Sequence, residues 1–259
     1  WDGNEVWLVL GGGALFAAFP VVYASLFSGL YIAMMLVLLV LILRTVAIEF
    51  RSKRPSPRWR GFWDWVFFGA SLGIALLLGV AFGNILDGLP IAADGYIRAT
   101  LFDLLTPYAL LVGVTTVFML ATHGAIYLSM KASGALLDRV KRWVPRLMII
   151  FFVFNTLLVG MTVLLHEAVS DRYWQQPWLV ILPAAALASV IVAWLMVRRE
   201  KYFVAFLFSS AMIAGLLISA AVGLFPNLLV STLNSSYNLT IFNAASQANT
   251  LTVMLIMAL

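Results

Sequence analysis

The segment GLYIAMMLVLLVLILRTVAIE, residues 29–49, contains only two charged side chains, Arg44 and Glu49. It runs directly into FRSKRPSPRWR, residues 50–60, where five of the side chains are basic. A bilayer core about 30 Å thick is crossed by about 20 apolar residues in helical form, and residues 29–49 meet that length. Apolar runs of this kind recur along the chain. They predict spans at 5–23, 29–49, 62–85, 106–130, 144–165, 177–197 and 202–225, with a shorter one at 246–259. Barrel strands would instead alternate apolar and polar residues over about ten positions, which these runs do not. The expected fold is an all-α membrane protein, a polytopic transmembrane helix bundle of eight helices within one transmembrane domain over 1–259.

Composition and charge placement agree with that reading. The chain is 63% apolar and only 10% charged, whereas soluble domains carry about a quarter charged residues. Of sixteen basic residues, thirteen fall in or at the edge of the connections between the second and third, fourth and fifth, and sixth and seventh spans. The alternate connections hold Arg98 and Arg172 beside Asp87, Asp94, Asp103, Glu167 and Asp171. By the positive-inside rule the three basic connections face the cytoplasm, which also puts residue 1 there. The net charge of +5 is therefore a topology signal, and nucleic acid is not an expected partner. With no cysteine, the chain offers no disulfide, iron–sulfur cluster or thiolate haem ligand.

Ionisable residues at membrane depth are the first candidates for function. Asp2 and Glu5 lie three residues apart, on one face of a first helical turn at the cytoplasmic entrance. They read either as groups that handle protons or as an N-cap with a dipole-stabilising neighbour. Arg44 precedes the basic connection by seven residues, about 10 Å along a helix. It either snorkels to the interface or takes a partner, for which Asp64 is the candidate and Glu49 the rival. An Arg44–Asp64 ion pair would be structural, fixing helix register. The two histidines, His123 and His166, are too few for several haems and read as packed or hydrogen-bonded residues.

Small residues at Gly11–Gly13, Gly69/Gly73 and Gly79/Gly83 permit close helix approach, within the chain or at a subunit interface. Trp174 and Trp178 form an interfacial belt, and the polar stretch 225–238 reads as an external cover or a contact with a neighbour. No HExxH, phosphate-binding glycine loop or nucleophile–base spacing is present, so no catalytic or metal residue is assigned.

Several stretches taken in order carry a family resemblance. WDGN at 1–4 with Trp7 and GGALFAAFP at 12–20, then FSG at 27–29 with Tyr31, RSK at 51–53, WDW at 63–65, GVAFGN at 79–84 and LTIFNA at 239–244 resemble subunit II of the cytochrome bd quinol oxidases. The resemblance implies nine helices including two four-helix bundles; the opening on Trp1 rather than methionine and the stop within the apolar run 251–259 lead to the expectation that the chain is truncated at both ends. It implies a heterodimer in a prokaryotic inner membrane. Haems b and d would sit in the partner, subunit I, with quinol as substrate of the complex and no cofactor in this chain. A small accessory subunit, lipid and quinone are further partners it allows. It also associates the aspartate matching Asp2 with a proton path, with Glu5 assisting. Two rivals stand beside it: a secondary transporter, which would show interrupted helices around a midplane site, and an assembly subunit without a proton role.

Overall fold

The structure is a computed structural model that describes the backbone of residues 2–258 and the side chains of residues 3–257. Ten α-helices are formed among these: α1 (Asp2–Ala18), α2 (Pro20–Gly29), α3 (Tyr31–Arg51), α4 (Pro57–Asp87), α5 (Pro107–Lys131), α6 (Gly134–Leu165), α7 (Glu167–Gln175), α8 (Ile181–Arg198), α9 (Tyr202–Leu224) and α10 (Ala248–Ala258). Six segments are long and apolar enough to cross a membrane, the fifth of them α8 with the 3-10 turn Pro177–Val180 before it. The protein is thus an all-α, multi-pass membrane protein. In each of the six, a third or less of the most apolar stretch is buried within the chain, so most apolar side chains face outward.

Helix count departs from the sequence expectation at the start. The span expected over 5–23 is two helices, divided at Phe19–Pro20. Pro20 has no N–H, and its ring collides with the carbonyl of an ideal preceding turn. Phe19 leaves the helical region at φ −138°, ψ 68°, and Pro20 takes the first position of α2, where its missing donor costs nothing. At the other end of α2, Gly29 allows a close approach: a Cβ there would collide with the side chain of Ile97. The span expected from 144 begins ten residues earlier, at Gly134. Val140 in this extension and Val144, Met148 and Phe151 beyond it are buried at helical spacing on one face, and the helix carries Pro145 at the cost of one backbone hydrogen bond.

The described chain forms two compact units. The first contains the described residues up to Ala109 and from Pro226 onward. Its α3 and α4 pack side by side, with Gly73 opposite Val40, where a Cβ would sit 3.3 Å from the valine Cγ1. A Cβ added at Gly69 or at Gly11–Gly13 would meet nothing from elsewhere within 4 Å among the described residues. The end of this unit away from the basic α3–α4 connection is closed by a hydrogen-bonded cap. Strands β1 (Asn227–Leu229) and β2 (Leu239–Thr240) pair antiparallel, and Leu89 bridges Ser231. Beneath them Val22, Leu26, Leu30, Leu89, Ile91 and Leu229 form the core. Buried polar groups are satisfied inside the cap: Asn84 Nδ2 donates to the carbonyls of Val80 and Leu104, each at 2.8 Å, and Ser231 Oγ donates to Ile91 O at 2.8 Å. Gly88, at φ +96°, makes the turn from α4 into the cap.

The second unit runs from Leu110 to Phe225. Small residues bring α8 and α9 together, since a Cβ on Gly215 of α9 would lie 3.0 Å from Cβ of Ala186 of α8. The short helix α7 is fastened to α9 by Tyr173, whose hydroxyl donates to Ser219 O at 2.6 Å. Burial pushes the Tyr173 hydroxyl above the ordinary tyrosine pKa, against the opposing effect of that hydrogen bond.

Candidate functional site

Charged side chains that lie within or beside the apolar helices gather at the basic end of the first unit. Glu5, on the first turn of α1, accepts a 2.8 Å hydrogen bond at Oε1 from Nη1 of Arg44. Both side chains are about three-quarters covered, at 25% and 29% exposure. The guanidinium also lies 5.5 Å from the centre of the Phe67 ring on α4, so Arg44 is held from two helices. Seven residues further along α3, Arg51 makes a two-pronged bond to Asp64, from Nε to Oδ1 and from Nη2 to Oδ2 at 3.2 Å. This second pair is half exposed.

The Arg44–Asp64 pair expected from the sequence is replaced by two others, and the hairpin register explains why. Val40 faces Gly73. Counting from that level towards the turn, Asp64 is nine residues along α4 and Arg51 eleven along α3, so the two are nearly level. Arg44 is only four residues along, which leaves it about 10 Å short of Arg51's level. What the sequence could not supply was α1, which brings Glu5 to Arg44 across 39 residues of chain. The rival Glu49 lies on the same helix as Arg44, and the observed partner, Glu5, comes from another. Asp2 begins α1, but its side chain lies outside the described residues.

Around these pairs, Trp59 Nε1 donates to Phe50 O at 2.8 Å, and Trp59 and Trp63 meet edge to face at 5.6 Å. Arg54 lies over the Trp59 ring at 4.9 Å. Aromatic rings and arginines packed in this way are what an interface between hydrocarbon and headgroups favours.

The histidines are placed as packing residues. His123 Nδ1 is 2.8 Å from Ser209 Oγ, and its ring stacks on Phe206 at 4.7 Å. His166 is the junction between α6 and α7, its carbonyl accepting from the amides of Val169 and Ser170. No group of three or more metal-ligating side chains occurs among the described residues. On the cap, Asp103 accepts from the amide and hydroxyl of Thr100, both at 2.8 Å. These bonds hold its carboxyl below the ordinary aspartate pKa.

Apolar helices, paired charges at one rim and no self-contained catalytic group among the described residues define a polytopic membrane subunit. Comparison with known proteins gives the family. The sequence profile of cytochrome bd terminal oxidase subunit II matches residues 1–259, and the chain belongs to that family. It is therefore a component of a membrane oxidoreductase, which sets aside the transporter alternative. It is similar to the probable cytochrome oxidase subunit 2 of Haemophilus influenzae, at 38% identity over all of this chain and 76% of that protein. It is also similar to the cytochrome bd-I ubiquinol oxidase subunit 2 of Escherichia coli strain K12, at 37% over 98% of the chain and 75% of the relative. The cytochrome bd ubiquinol oxidase subunit 2 of Bacillus subtilis is 37% identical over 100% and 76% respectively.

Proposed function

We propose that this chain is the haem-free companion in a quinol:oxygen oxidoreductase, stabilising a haem-bearing subunit I and supplying it with protons from the cytoplasm. In this reading residue 1 and the basic α3–α4 connection face the cytoplasm of a prokaryotic cell, and haems b and d lie in subunit I. Quinol is oxidised by the complex, and oxygen is reduced to water. Each electron that reaches oxygen requires one proton, and hydrocarbon admits protons only along polar groups and water. Asp2 is the entry carboxylate. Glu5 assists by a different route from direct transfer: bound to Arg44, it ties the first turn of α1 to α3 and so fixes where Asp2 stands.

The observation that carries this reading is the Glu5–Arg44 pair, because it holds charged groups inside the rim at the turn that bears Asp2. The test is Asp2→Asn in the assembled complex. Oxygen consumption and proton uptake should both fall about tenfold or more, as for a lost proton-transfer group. Full rates in an assembled variant would reject the role. Loss of subunit I from the purified variant would favour a capping role for Asp2 instead.

A further inference from the structure

Helix α6 begins in the amphipathic stretch 134–143 and continues as a membrane span to Leu165. One side of it is committed to the second unit: Val140, Val144 and Met148 pack with Ala193 and Val197 of α8 and with Ala205 of α9. At 3.6 residues per turn, Arg139, Arg142, Trp143 and Arg146 fall on the opposite side, and all four are exposed. Further along that same side come Ile149, Val153 and Leu157, at 54%, 49% and 55% exposure. A stripe of arginines thus runs directly into a stripe of uncovered apolar side chains.

The arginines are crowded and unrelieved. Like charges three and four residues apart on a helix repel each other, and here three guanidinium groups fall within two turns. Among the described residues the ion pairs are Glu5–Arg44, Arg51–Asp64, Asp94–Arg98 and Lys141–Glu200, so none of the three has a carboxylate. The acid nearest in sequence is Asp138. It stands four residues before Arg142, at a spacing that suits an ion pair, and makes none. Glu200 reaches α6 but meets Lys141, at 3.0 Å. The neighbour that Arg146 does have is the Trp143 ring, 5.4 Å from its central carbon to the ring centre. That contact uses the indole face and consumes none of the five guanidinium N–H donors.

Dimensions identify what would fill the stripe. Arg146 and Leu157 are eleven residues apart, about 16 Å along the helix, which is half of a hydrocarbon core about 30 Å thick. The order along the helix is cationic at headgroup level, aromatic at the interface and apolar through one leaflet, which is the order of parts in a phospholipid with a negative headgroup. An acidic peptide would match the arginines and leave the apolar half uncovered.

We propose that this side of α6 is a binding site for one anionic phospholipid, its phosphate held by Arg139, Arg142 and Arg146 and an acyl chain laid along Ile149, Val153 and Leu157. Arginine suits the headgroup because its planar fork meets phosphate oxygens in pairs. The site stands independently of any role for Asp2 and of where the haems lie.

The test uses the assembled complex, stripped of lipid in detergent and titrated with dimyristoyl phosphatidylglycerol, with the tightest-bound molecule followed by native mass spectrometry. Each basic side chain near an anionic lipid contributes about fivefold in affinity, so the triple variant Arg139→Gln, Arg142→Gln, Arg146→Gln should bind about tenfold or more weakly than the parent. A second triple variant, Arg54→Gln, Arg58→Gln, Arg60→Gln, removes the same charge from the α3–α4 connection and should keep the parent affinity. Equal affinity in the parent and the α6 variant overturns the site. An equal loss in both variants also overturns it, since net charge would then account for binding. Loss of subunit I from the α6 variant would mean that a segment of the partner covers the arginines, and overturns it too. Two measurements need no variant. The parent should prefer phosphatidylglycerol to phosphatidylcholine of the same chains by about tenfold, for the same electrostatic reason, and glycerol 3-phosphate in large excess should not displace the lipid. Absence of the preference, or displacement by the free phosphate ester, overturns the assignment to a lipid.

Discussion

Arg44 and Arg51 sit on the same helix, seven residues apart, and each is paired with a carboxylate, yet the two pairs differ in what they can do. Glu5–Arg44 is three-quarters covered and joins helices far apart in sequence, whereas Arg51–Asp64 is half exposed and clips a hairpin whose helices are already neighbours. The same chemistry is therefore a tertiary constraint in one place and a surface contact in the other. Coulombic attraction is strongly screened where water reaches both groups, and little screened where apolar side chains surround them. Position relative to the rim, rather than bond geometry, sets the consequence of losing each pair.

The largest effect should follow Glu5→Ala. It leaves Arg44 within the apolar helices with only the Phe67 ring beside it, and removing one partner of a covered pair costs about 2 kcal/mol or more. Thermal unfolding of the purified complex should show a clear drop, and the double variant Glu5→Ala with Arg44→Leu should recover part of it. Failure of the double variant to recover would mean that Glu5 has a role beyond its pairing. Asp64→Asn should do much less. Its melting temperature should stay close to that of the parent, and the small difference should vanish in high salt. An equally large loss from both variants would abolish the contrast between the pairs.

In the second unit, Lys141–Glu200 extends the comparison to a pair whose carboxylate sits on strained backbone, with Glu200 at φ +55°. Glu200→Gly removes about 1 kcal/mol of left-handed strain while it breaks the ion pair. Stability should be almost unchanged, measured by denaturant melts of the complex. A marked loss would place Lys141–Glu200 with the covered pair instead. The smallest effect concerns Asp103 on the cap. Its folded-state pKa is lowered by Thr100, so its contribution is present above the unfolded aspartate value near pH 4 and is lost as pH falls through the folded value. Hydrogen exchange at the Thr100 amide should lose protection on acidification below about pH 4, and Asp103→Asn should remove that pH dependence.

How much of this could be read from the sequence follows from the range of each interaction. Apolar length identified the spans from residue 29 to residue 225, since each depends only on its own residues. It missed the division at Pro20, where periodic hydrophobicity continued through a residue whose ring ends the helix. It also began α6 ten residues late, because Gly134–Trp143 is amphipathic and charged and only its buried face reveals it as helix. Arg44 stood out in the sequence as a cation that either snorkels or takes a partner. Glu5 was singled out for a different reason, and nothing local connected the two.

The Thr122 and Ser209 hydroxyls carried no signal at all in one dimension. Serine and threonine are common in apolar helices, and only packing distinguishes one that bonds its own turn, as Thr115 does, from one without a partner among the described residues, as Thr122 is.

By itself the sequence determined that this chain spans a membrane several times and which connections carry its basic charge, because transfer of apolar and charged groups between water and lipid is a property of each segment alone. The tertiary structure decided which carboxylate meets which cation, how the cap over the first unit satisfies its polar groups, and that His123 meets Ser209 across 86 residues of chain. Those outcomes depend on helix register and on contacts between residues distant in the chain, where a shift of one helical turn exchanges every partner.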